Sequence, residues 1–152
     1  MESKLFDTVK GNILEVESGV IVHGCNYHGV MGSGVAKAIR ARYEEAYKEY
    51  NDYYNKYGLE LGDVIMKRVS KPLWIANAVT QEDYGSTGQR FVSYDAIDMC
   101  FRSIYKKFPS SRVYFPLIGC GLGGGKWSVV ENIIYEAALE SGFRGKNTLY
   151  VL

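Results

Sequence analysis

The sequence predicts a three-layer α/β/α fold around a mixed central sheet of about six strands. Three observations carry this reading. Short apolar, β-rich runs recur along the chain, longer segments with helical spacing of apolar residues fall between them, and glycine-rich loops mark two of the passages from run to helix. The resulting order, β-β-α-β-β-α-β-α-β, leaves helices to cover both faces of one sheet.

Residues 5–9, followed by Gly11 and Asn12, read as a short edge strand and turn. The run Gly19-Val20-Ile21-Val22-His23 reads as a buried strand bounded by glycine. After a loop at 26–32, residues 33–57 place Val35, Ile39, Tyr43, Ala46 and Tyr50 on one helical face, with Gly58 as the stop signal and a break expected near Asn51-Asp52. Residues 63–69 and 73–79 are β-rich and are joined by Ser70-Lys71-Pro72, so they form a hairpin or closely spaced strands. A polar loop at 80–91 follows. Ser93 is a natural N-cap for a helix from Tyr94 to about Phe108, in which Ala96, Met99, Cys100, Ile104 and Tyr105 share a face. The last elements are a strand at 112–118, a glycine loop at 119–125, a helix at 127–141 and a closing strand at 148–152.

Bulk properties narrow the function. The 152 residues, 47% hydrophobic and 23% charged, suit a single domain over 1–152 that buries roughly two thirds of its unfolded surface. A formal charge of +1 supplies no field to recruit nucleic acid or an anionic membrane, so any anion must be held locally by geometry. The cysteines Cys25, Cys100 and Cys120 are three in number and lack CxxC spacing, and the first residues carry no signal or transit pattern. Reduced thiols, a cytoplasmic location and a monomer are expected. No apolar stretch approaches the roughly 18 residues that span a bilayer.

The two glycine loops point to a ligand. The first runs from His23 to Gly34 between a buried strand and the start of the long helix, and the second from Gly119 to Trp127 between another buried strand and helix. Such turns direct unpaired backbone N–H groups and the positive end of a helix dipole outward, and phosphate oxygens suit both. Loops of this kind at the carboxyl ends of parallel strands make a crevice.

Better-known glycine motifs fit poorly. A P-loop requires GxxxxGK[ST], but Cys120 stands six residues before Lys126 and Trp127 follows it. Gly119, Gly121 and Gly124 satisfy GxGxxG, yet no strand ending in a carboxylate follows. Cys120 and Lys126 have the spacing of a cysteine-phosphatase cradle, but lysine lacks the bidentate fork of arginine. Cys25 and Cys120 read instead as small residues packed at strand ends. Two histidines and scattered carboxylates give no metal-ligand spacing, and no cofactor is expected.

Four segments stand out together: Gly11-Asn12-Ile13, Ile21-Val22-His23-Gly24-Cys25-Asn26, the stretch from Gly29 to Ala36, and Pro116-Leu117-Ile118-Gly119-Cys120-Gly121-Leu122. In this order they resemble the macrodomain (Appr-1''-p processing) family, and more closely its subgroup of ADP-ribose 1''-phosphate phosphatases and compact ADP-ribosyl-glutamate hydrolases. The resemblance implies a macrodomain-like fold with an ADP-ribose cleft at the carboxyl edge of the sheet. Asn12, beside Ile13, stands where the family usually has an aspartate reaching the adenine amino group, so adenine binding is expected to be retained but weakened. Asn26, next to Cys25, stands where an asparagine holds the distal ribose. The loop Gly29, Val30, Met31, Gly32, Ser33, Gly34 and Val35 is expected to wrap the diphosphate and distal ribose from one side. Gly119, Cys120, Gly121, Leu122, Gly123 and Gly124 are expected to close from the other. Tyr150 flanks the adenine or is an ordinary strand aromatic.

The resemblance also bears on chemistry. The glutamate hydrolases use a lysine and an aspartate where this chain has Gln81 and Gly123, so that mechanism is not expected to operate. The phosphatase branch carries a histidine before its small-Cys-Asn element, and His23 stands there. His23 either orients water or the leaving oxygen, or is a core histidine tied to backbone. His28 either faces the distal phosphate or is a solvated loop residue. The polar stretch from Gln81 to Gly85 is expected to form the wall beyond the distal ribose, with Gln81 against the ligand and Asp83 as the water-activating carboxylate. The expected reaction is hydrolysis of ADP-ribose 1''-phosphate to ADP-ribose and phosphate, without a metal and with backbone N–H groups stabilising the phosphoryl oxygens. A non-catalytic ADP-ribose-binding module and a hydrolase removing ADP-ribose from a macromolecule are the alternatives.

Overall fold

The computed structural model describes residues 3–32, 34–82, 92–120 and 123–152. Its elements in chain order are β1 (Asp7–Lys10), a 3-10 turn (Ile13–Glu15), β2 (Gly19–Asn26), α1 (Gly34–Arg42), α2 (Glu44–Tyr57), β3 (Val64–Ser70), β4 (Leu73–Gln81), α3 (Tyr94–Lys107), β5 (Arg112–Phe115), α4 (Trp127–Glu140) and β6 (Lys146–Val151). The strands form one six-stranded sheet in the order β1-β6-β5-β2-β4-β3. All neighbouring pairs are parallel except β3 with β4, which are antiparallel and meet at Ser70 and Leu73, so the expected hairpin is present.

Period-two alternation divides the sheet between two helical layers. Val20, Val22, Ala76, Ala78, Val113 and Phe115 pack with buried residues of α3 and α4. Ile21 and Ile75 pack with Ile39 of α1 and Ala46 of α2 on the opposite face, and Cys25 and Val79 with Tyr50 of α2. The result is the three-layer arrangement with a mixed sheet. Among the described residues no helix is long and apolar enough to cross a membrane.

Several boundaries differ from expectation for local reasons. The long helix breaks at Tyr43, not near Asn51-Asp52, which lie inside α2. Arg40 and Arg42 end α1, and Glu44 and Glu45 begin α2, so each set of charges complements the helix end it occupies. The strand expected at 112–118 stops at Phe115, because Pro116 has no N–H for the ladder. Ser93 caps α3 as expected, its hydroxyl accepting from the Ala96 N–H at 3.1 Å.

Candidate functional site

Strands β2 and β5 are parallel neighbours, so the segments leaving their carboxyl ends lie side by side. Two cavities open along this edge. One, of about 240 Å³, is bounded by Gly24, Asn26 and Gln81 on the β2 and β4 side and by Ile118, Gly119 and Gly123 on the other. A larger cavity of about 450 Å³ lies over the ends of β1 and β6, among Asn12, Ile13, Leu14, Ala38, Tyr150 and Leu152. Gly34, Val35 and Pro116 line both, so the two form one cleft.

The first loop is shaped by Asn26. Its side-chain oxygen accepts from the His28 N–H, and its amide donates to the Val30 carbonyl, both at 2.9 Å. Helix α2 braces the same loop from outside. The Tyr50 hydroxyl donates to the Asn26 carbonyl at 2.5 Å and Asn51 donates to the Gly29 carbonyl at 3.2 Å. Burial raises the Tyr50 phenol pKa, which keeps it a donor. Gly29 has φ +78°, and a Cβ there would lie 2.6 Å from the Tyr54 ring, so only glycine fits.

The second loop is closed at its base by the Gly125 N–H donating to the Gly119 carbonyl at 2.7 Å. The Val92 N–H donates to the Gly123 carbonyl at 3.1 Å, tying the loop to the chain just before α3. Gln81 faces this loop: its side-chain oxygen lies 3.1 Å from where a Cβ of Gly123 would stand.

Many of the residues named from sequence line the cleft. Asn12, Ile13 and Tyr150 lie in the larger cavity. Cys25, Asn26, Val30 and Gly32 lie in the smaller one, as do Gln81, Gly119 and Gly123. Gly34 and Val35 belong to both.

Others are placed elsewhere. Met31 points into the core with Cys25 and Tyr50, and Gly29 is buried under Tyr54. Cys120 lies outside the lining of either cavity and turns its Sγ to the Ile118 carbonyl at 3.3 Å; burial pushes its thiol up to about 11, so it stays protonated at neutral pH. Gly124, exposed with φ +74°, serves the turn rather than the lining. Ser33, Asp83, Gly121 and Leu122 lie outside the described residues.

The two histidines need correction as substrate-facing groups. His23 is 0% exposed and points to the α2 side of the sheet, where its Nε2 lies 2.6 Å from Asn77 Oδ1. The Asn77 amide donates to the Ala46 carbonyl at 3.1 Å, which leaves Oδ1 as acceptor and assigns the His23 proton to Nε2. Burial lowers the His23 pKa to about 4, against the raising effect of Asn77, so the ring is neutral at pH 7. It is the core histidine of the second reading, tied to a side chain. His28 is exposed, sets its ring edge-on to Tyr27 at 4.7 Å, and lies outside the lining of both cavities.

Sequence reasoning missed the bracing by Tyr50, Asn51 and Tyr54, since helical spacing marks Tyr50 as core without naming its partner. It also assigned no role to Leu14, Ala38 and Leu152, which complete the apolar wall. Among the described residues, no group of three or more His, Cys, Asp or Glu is placed to hold a metal ion.

Comparison with known proteins identifies the fold. The family model described as Macro domain matches residues 22–134. The ADP-ribose 1''-phosphate phosphatase of Candida albicans is 22% identical over 125 residues, covering 77% of this chain and 80% of that protein. The DNA ADP-ribosyl glycohydrolase of Thermus aquaticus is 26% identical over 133 residues, covering 85% of this chain and 36% of that protein. The solved macrodomain of Mycobacterium tuberculosis DarG superposes with a TM-score of 0.81 at 20% identity, covering 99% of each chain. With the family model spanning well over half of the sequence, this chain belongs to the Macro domain family.

Proposed function

We propose that the cleft holds ADP-ribose end to end and that the chain hydrolyses ADP-ribose 1''-phosphate to ADP-ribose and inorganic phosphate. The observation that carries the reading is the continuity of the two cavities through Gly34, Val35 and Pro116. The larger one, with Ile13 and Tyr150 for a planar base, suits adenosine; the smaller one, lined by Gly24, Gly32, Gly34, Gly119 and Gly123, leaves room for the diphosphate and distal ribose to approach the backbone. In the reaction, water attacks phosphorus, the bond from phosphorus to the 1'' oxygen breaks, and that oxygen takes up a proton. Similarity to a phosphatase along most of both chains supports this choice. Gln81 packed against Gly123 offers neither the lysine nor the aspartate that the glutamate hydrolases use.

A second reading, a non-catalytic ADP-ribose-binding module, draws support from the burial of His23 and the outward position of His28. Phosphate release from ADP-ribose 1''-phosphate, measured beside calorimetric binding of ADP-ribose, separates the two. Multiple turnovers per protein molecule are expected. Binding without turnover makes the chain a binding module, and failure to bind ADP-ribose removes both readings.

Asn12 provides a test of the adenine end. Its side-chain oxygen accepts from the Leu14 N–H at 2.9 Å, capping the 3-10 turn, and its side chain is exposed at the cavity rim. Aspartate caps equally well and adds a charge for an amino group. Asn12→Asp is expected to tighten ADP-ribose binding by about five- to tenfold in calorimetry, since charge-assisted hydrogen bonds are roughly twice as strong as neutral ones. Unchanged affinity would take Asn12 out of contact with the base.

A further inference from the structure

Thr80 carries a polar group for which the fold itself has no use. It is 0% exposed, and its Oγ1 is the one buried side-chain nitrogen or oxygen among the described residues without a hydrogen-bond partner. Buried hydroxyls are almost always paired, and an unpaired one is less favourable than an apolar group of the same shape. Valine has that shape and suits a strand better than most residues.

The hydroxyl lies next to residues that line the smaller cavity. A Cβ built on Gly24 would stand 2.9 Å from Thr80 Oγ1 and 3.4 Å from Ile118 Cγ2. Gly24 and Ile118 both line the cavity, as does Gln81, the next residue along β4. With no side chain at Gly24, nothing from that residue covers the hydroxyl, which lies beside two residues of the cavity lining. Thr80 is held from the other side, its carbonyl accepting from the Ser93 N–H at 2.7 Å.

We propose that Thr80 Oγ1 is a positioning group for the distal end of the ligand, reached beside Gly24 by an oxygen of the distal ribose or by a water that this ribose orders. The chemistry required is the same in both cases: an oxygen that donates to, or accepts from, a hydroxyl. This inference rests on the ADP-ribose reading of the cleft. It adds a distal contact that neither a charged residue nor a glycine backbone supplies.

Calorimetry with ADP-ribose and with ADP, which lacks the distal ribose, tests it on wild type, Thr80→Val and Thr80→Ser, with thermal unfolding of each. Thr80→Val is expected to bind ADP-ribose about tenfold more weakly, to bind ADP as wild type does, and to unfold at the same or a higher temperature. Thr80→Ser, which restores the hydroxyl, is expected to regain most of the ADP-ribose affinity. With ADP-ribose lacking the distal hydroxyls the Thr80→Val loss is expected to disappear, whether the contact is direct or through the ordered water, and a loss that persists overturns the proposal. Equal losses for ADP-ribose and ADP, no loss for either, or a lower unfolding temperature in Thr80→Val overturns the proposal. Wild-type protein that binds neither compound fails the functional reading instead.

Discussion

Stability is expected to fall by about 3 kcal/mol as the pH drops from near 6.5 towards 4, and His23→Gln is expected to remove most of that fall. The cause is the burial of His23. Its folded pKa of about 4 lies below the ordinary 6.5, so between these values the unfolded chain binds a proton that the folded chain refuses. The unfolded state therefore gains as pH falls through this window, while above 6.5 both states hold a neutral ring and nothing is lost. The difference between 6.5 and about 4, at about 1.4 kcal/mol per pH unit, amounts to about 3.5 kcal/mol in full, of which about 3 is lost by pH 4. Glutamine can donate to Asn77 Oδ1 much as Nε2 does at 2.6 Å, but it does not titrate. Urea unfolding of both proteins at several pH values reads the difference directly. Parallel stability curves for wild type and His23→Gln would refute a buried neutral histidine.

The same geometry selects the His23 variant that probes catalysis. His23→Ala leaves the Asn77 side-chain oxygen unpaired in the core and opens a space beside Cys25, whose Sγ lies 3.8 Å from the ring. Loss of turnover in that variant would report a damaged fold. His23→Gln preserves the link to Ala46 through Asn77, so its turnover separates chemistry from structure.

Much of this was legible in the sequence because it depends on short-range constraints. Ser93 caps the helix that begins one residue later, and Gly119 and Gly124 hold the positive φ values that a tight loop requires. The side of the sheet that a strand residue faces depends on its partners, which is why His23 admitted two readings until Asn77 on β4 was placed opposite it. The supports of the first loop come from positions 22 and 24 residues further along the chain, in Asn51 and Tyr50. Helical periodicity shows that Tyr50 is inward-facing, and only the packed fold shows that its hydroxyl meets the Asn26 carbonyl. Met31 belongs to the loop expected to wrap the ligand, and a sequence segment does not reveal that this one side chain turns to the core.

Gly119→Ala is expected to weaken ADP-ribose binding by at least about thirtyfold, and Val92→Ala in the same chain to restore part of it. Two independent strains meet at Gly119. Its φ of +72° is a conformation that costs an alanine roughly 1–2 kcal/mol. The added Cβ would lie 2.5 Å from Val92 Cγ2 and 3.0 Å from Val92 Cβ, and a β-branched side chain has little rotamer freedom with which to retreat. Overlap of this kind costs about 1–3 kcal/mol unless the backbone moves. The loop is the part that can move, and doing so pulls Gly123 from the Val92 N–H and shifts the wall of the smaller cavity. Val92→Ala removes the overlap and leaves the φ strain, so the double variant should bind more tightly than Gly119→Ala but less tightly than wild type. Val92→Ala alone should lower the unfolding temperature, because Val92 is buried, while changing ADP-ribose affinity only a few-fold. A coupling of about 1–2 kcal/mol between the two substitutions is the expected signature in a double-mutant cycle. Strict additivity in binding would mean that loop position does not depend on this contact, and the second glycine loop would then owe its shape to backbone conformation alone.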